Sequence, residues 1–82
     1  MKIEEIKEGQ VFKIVAPRFI SMMCGAYQAG FYPDGRVTLV YEDESRESAQ
    51  FSLSEAQAIL DRGLSDAGIF AVVSAVQHRA RS

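Results

Sequence analysis

The residues of this chain that could do chemistry are one cysteine, one histidine, a few serines and a cluster of carboxylates. Cys24 and His78 are single copies of their types, and nothing in their spacing joins them. A nucleophilic site needs a nucleophile, a base and an orienting acid held together. Ser52 and Ser54 are placed to cap a helix, without the strand–turn context of a nucleophile elbow. Glu42, Asp43 and Glu44, followed by Arg46 and Glu47, read as a solvated hairpin tip. They lack the loop and glycine of a calcium site. Acid–base work by paired carboxylates needs a cleft that raises one pKa, and an open turn does not supply one. One cysteine permits no internal disulfide and no thiolate-rich metal site, and no glycine-rich phosphate cradle runs into a helix. The expectation is a chain with no catalytic residues, no bound metal and no cofactor.

Binding is the class left open. Arg18 to Cys24 is mostly apolar without a clear period, and Phe19, Met22 and Met23 are adaptable anchor types. They fill a core, or they form a contact surface. With Tyr32 they are the expected anchors for a partner protein or a second copy of the chain. Glu42, Asp43 and Glu44 are expected to affect the rate of association more than its affinity. The expected function is therefore a small protein-binding regulator, inhibitor or accessory subunit. The alternative is a single-stranded nucleic-acid binder. Tyr27, Phe31, Tyr32 and Tyr41 would then offer stacking platforms on a sheet, with Lys13, Arg18 and Arg36 on the phosphates. Against it stands a net charge of −2, without the basic footprint of phosphate-backbone binding.

The elements that must position these residues are legible in part. Val11 to Ala16 reads as a strand, because β-branched residues dominate it and Pro17 ends it. Gly25 to Tyr32 reads as a second strand, with Tyr27, Ala29 and Phe31 as the better core face. Pro33-Asp34-Gly35 fits a tight turn. In the third strand, Arg36 to Tyr41, Val37 and Leu39 are the better core residues, and Ala49 and Phe51 continue that face on a short fourth strand, Ser48 to Phe51. Ser52-Leu-Ser-Glu55 is a capping box, and Leu53, Ala56, Ile59 and Leu60 recur at helical spacing. The helix spans about residues 53–62. Ser65-Asp66 could cap a second helix with Ile69, Val72, Val73 and Val76 on its buried stripe. The same residues also read as a buried strand, because Gly68 sits badly in a helix. Helix is the preferred reading. The fold expected is α+β: a small antiparallel β-meander of three to four strands, covered on one face by one or two C-terminal helices.

The totals agree with one domain over residues 1–82, with 79–82 as a tail. Hydrophobic residues are 48% and charged residues 24%, an ordinary globular mixture. A chain of 82 residues builds only a modest core, so a homodimer or a tight partner would bury useful extra surface. No apolar run approaches the ~18 residues of a membrane span, and the charged start does not read as a secretory signal. The single cysteine suits a reducing cytoplasm.

Overall fold

A computed structural model describes residues 1–65 and 67–82. Asp66, read above as part of a helix cap, lies outside the described residues. The fold is α+β. A four-stranded antiparallel meander in the order β1-β2-β3-β4 comprises β1 (Phe12–Val15), β2 (Ala26–Phe31), β3 (Arg36–Tyr41) and β4 (Arg46–Gln50). Helix α1 (Arg18–Cys24) joins β1 to β2. Helices α2 (Leu53–Gly63) and α3 (Ile69–Ala80) follow the sheet and pack against each other and against it.

Strand register decides which side chains reach the helices. Phe12 pairs with Phe31, Ile14 with Ala29, Phe31 with Val37, Ala29 with Leu39, and Val37 with Ala49. Directly paired residues share a face. This set therefore forms one apolar surface, and Ala29, Phe31, Val37 and Leu39 are fully buried in it. Leu60, Ile69, Val72 and Val76 close the core from the helical side, and Ile3, Ile6, Ile20 and Phe51 fill its margins. The reading of Val37, Leu39, Ala49 and Phe51 as core agrees with this register.

One strand departs from simple alternation. The pairing of β2 with β3 shifts between Ala26 and Gln28, so Ala26 faces Tyr41 while Gln28 faces Val40. The extra residue of this bulge is Tyr27. Ala26 is thereby fully buried and Tyr27 only half-buried, which removes Tyr27 from the core face assigned to it by alternation.

The last apolar segment is helical. Gly68 occupies the N-cap position of α3, where a Cβ would run into the carbonyl of Arg62. The glycine that argues against a helix interior thus lies just before the helix, at a close approach between α2 and α3. Ser65 does not cap α3: its hydroxyl donates to the Arg62 carbonyl at 2.9 Å, closing the end of α2. Arg79 and Ala80, expected in a tail, form the last turn of α3. Arg79 pairs with Glu55 at 2.7 Å and Arg81 with Glu47 at 2.9 Å.

Candidate functional site

Helix α1 is where the structure exposes apolar side chains together. Pro17 opens it, its carbonyl accepting from the N–H groups of Ile20 and Ser21. Gly25 closes it in a left-handed conformation, φ 81°, donating to the Ser21 carbonyl. Ile20 and Ser21 are buried, so the inner face is fixed. Phe19, Met22 and Met23 stand at i, i+3 and i+4, a spacing that puts three side chains on one stripe. That stripe faces solvent: Phe19 is 65% exposed, Met22 73% and Met23 75%. Exposed apolar residues scattered singly are ordinary, whereas a contiguous patch marks a contact surface. Val15 and Leu64 are also exposed, and with Pro17 they line a shallow hollow at the start of α1.

The acidic turn lies at the same end of the molecule. Glu42 donates its N–H to the carbonyl of Gly25, the residue that ends α1. Asp43 accepts from both the hydroxyl and the N–H of Ser45, and those hydrogen bonds hold its carboxyl below the usual aspartate range. Glu44 takes a left-handed conformation at φ 71°, as the turn between β3 and β4 requires. A cleft of about 380 Å³ separates the cap of α1 from the end of α3, lined by Gly25, Tyr41, Glu42, Asp43, Ser45 and Arg81.

The expected anchors do not all meet. Phe19, Met22 and Met23 share a stripe of α1, and the 42–44 turn touches that helix through the bond from the Glu42 N–H to the Gly25 carbonyl, but Tyr32 does not join them. It follows Phe31 at the far end of β2, about 17 Å of strand from Ala26. Its ring carries the guanidinium of Arg36 at 4.1 Å.

The aromatic stacking surface is not assembled either. Phe31 is fully buried under the helices. Tyr41 also points to the helical side, where its hydroxyl donates to Glu47 at 2.6 Å and accepts from Gln77 at 3.0 Å. Tyr27 sits in the bulge, and Arg18 lies on α1 away from Arg36. Of that set, Lys13 and Arg36 do share the uncovered face of the sheet. They are joined there by Arg46, read above as part of a solvated hairpin tip, and by Gln28 and Thr38, which sequence reasoning did not single out. The signal was present: once Val37 and Leu39 are core, alternation puts Arg36, Thr38 and Val40 on the opposite face.

Cys24 and His78 stand in different surroundings. The Cys24 thiol donates to the Ala26 carbonyl at 3.5 Å, while His78 lines a groove between α2 and α3 with Phe51, Ile59 and Arg62. Among the described residues, no group of three or more His, Cys, Asp or Glu side chains is placed to hold a metal ion, and no helix is long and apolar enough to cross a membrane. Compared with known proteins, the chain matches no family model, no curated protein and no solved structure at a significant level.

Proposed function

We propose that this chain is a binding module, not an enzyme, that docks on another protein through the α1 stripe of Phe19, Met22 and Met23. The observation that supports the reading is their common exposure on a helix whose other face already completes the core. Covering such side chains is worth roughly 1.5–3 kcal/mol each, enough for three of them to anchor a specific contact. The adjoining Glu42, Asp43 and Glu44 select the partner's chemistry: an apolar groove rimmed by Lys or Arg. A small regulator, inhibitor or accessory subunit acts in this way.

The test compares wild-type protein with Met22→Glu/Met23→Glu as immobilised bait in clarified lysate, with bound protein quantified and each bait melted by circular dichroism. The expected result is a stoichiometric partner held by the wild type, lost by the variant, with melting unchanged. Met22→Ala/Met23→Ala that keeps both fold and partner would remove the stripe from consideration. Light scattering on the purified chain separates a second copy from a different protein as the occupant.

A further inference from the structure

The uncovered face of the sheet carries a second surface of opposite character. The register lays its side chains out in rows across the four strands. Val15, Gln28, Val40 and Arg46 form one row, and Lys13, Gly30, Thr38 and Ser48 the next. Tyr32, Arg36 and Gln50 form a third beside Val11, with the Tyr32 N–H bonded to the Arg36 carbonyl. Three of these residues are cationic and none is acidic, although the chain has 11 Asp and Glu against 9 Lys and Arg. Among the described residues the salt bridges involve Arg79 and Arg81, not Lys13, Arg36 or Arg46. Gly30, which has no side chain, and Thr38 floor a depression of about 170 Å³ in the middle of the face.

Charged residues on edge strands commonly guard against pairing with another sheet, and that accounts for one cation on β1 and one on β4. It does not account for Arg36 on the inner strand β3, nor for the absence of carboxylates from this face. The strands bearing Lys13 and Arg46 are three spacings apart, about 14 Å, too far for one small anion to bridge. The match is an extended polyanion laid across the strands. Between the cations lie Gln28, Thr38, Ser48 and Gln50: the Thr38 and Ser48 hydroxyls bond each other at 2.8 Å and the Gln50 amide N–H bonds the Asp34 carbonyl at 2.8 Å, while the Gln28 amide offers both donors and acceptors. Sugar and base edges use both, whereas an acidic polypeptide's carboxylates only accept. A second copy's acidic turn fits poorly, because its three carboxylates are consecutive while the cations are widely separated.

We infer that this face binds single-stranded nucleic acid through phosphate contacts at Lys13, Arg36 and Arg46, with the polar residues between them contacting sugars and bases. The contact is led by phosphates and reads little sequence, because the one aromatic ring on the face, Tyr32, is already stacked under Arg36.

The experiment is fluorescence anisotropy of a labelled oligothymidine of about 12 nucleotides, titrated with the full chain over a series of salt concentrations. Three phosphate contacts on a single strand predict a slope of about −2 for log K against log salt. Lys13→Gln, Arg36→Gln and Arg46→Gln each make the slope shallower by about 0.7 and weaken binding several-fold. Arg62→Gln, on α2 and off this face, changes neither. Circular dichroism melts of all four variants verify the fold. Absence of binding at low salt would overturn the inference. So would binding that survives all three face substitutions, or competition by polyglutamate as effective as by unlabelled oligothymidine.

Discussion

At the scale of single residues, Tyr41 shows how a strand side chain is recruited to structure. Sequence reasoning offers it as a stacking ring only under the nucleic-acid alternative, although alternation along the third strand puts it on the side of Val37 and Leu39. The neighbours decide: Glu47 lies on β4 and Gln77 on α3, and both bond the hydroxyl. Burial first, and then the hydrogen bond to Glu47, push the phenol above its ordinary pKa. The bonds from Arg81 and then from Tyr41 hold the Glu47 carboxyl below its own. Replacing Tyr41 by Phe removes both hydrogen bonds and costs about 2 kcal/mol, a fall in melting temperature of roughly 8–16 °C for a domain of this size. Thermal melts of Tyr41→Phe check this. The pH dependence follows from the directions. The contribution from a lowered Glu47 is present above the ordinary glutamate pKa and is lost as pH falls through the lowered value. The contribution from a raised Tyr41 is present below the ordinary phenol pKa and is lost as pH rises through the raised value. Acid melts of Glu47→Gln are therefore expected to fall less steeply with decreasing pH than those of the wild type. Equal slopes would show that Glu47 has no part in the acid response.

At the scale of elements, legibility follows length and punctuation. Helix α2 is readable because its start is written locally. Ser52 accepts from the N–H of Glu55 at 3.2 Å, and the Glu55 carboxylate accepts from the N–H of Ser52 at 3.0 Å. Ser52→Ala is expected to destabilise the fold by about 1 kcal/mol, measured as a shift of the urea midpoint at constant m. The third strand is readable because Val37 and Leu39 alternate with Arg36 and Thr38. Helix α1 is not, for a physical reason: with seven residues it spans about two turns, and both its faces are apolar. Ile20 could be chosen over Phe19, Met22 and Met23 as the inward residue only by tertiary contacts. Phe19, Met22 and Met23 were legible as anchor types, but their exposure was not. The bulge at Tyr27 was equally hidden, since an inserted residue leaves the composition of a strand unchanged. Helix α3 stayed ambiguous because Gly68 weighs against a helix until its place at the N-cap is known.

At the scale of the whole molecule, the net charge of −2 conceals a segregation that a sum cannot express. The acidic turn bonds the end of α1 at Gly25, and Lys13, Arg36 and Arg46, three of the nine Lys and Arg, occupy the sheet face away from α2 and α3. The alternation of side chains along β1, β3 and β4 performs this sorting, by sending Lys13, Arg36 and Arg46 to one side and the core to the other. The Phe19, Met22 and Met23 stripe lies on α1 while Lys13, Arg36 and Arg46 lie on β1, β3 and β4, so the effects of substitutions in the two groups should be separable. Met22→Glu/Met23→Glu is expected to leave the salt slope of oligothymidine binding unchanged while abolishing capture of the protein partner. Lys13→Gln/Arg46→Gln is expected to do the reverse. In the four-fold variant, the two stability changes should add to within about 0.5 kcal/mol, as for sites without shared contacts. A larger coupling, or a loss of both activities from either pair alone, would mean that α1 and the sheet face act as one continuous surface for one ligand.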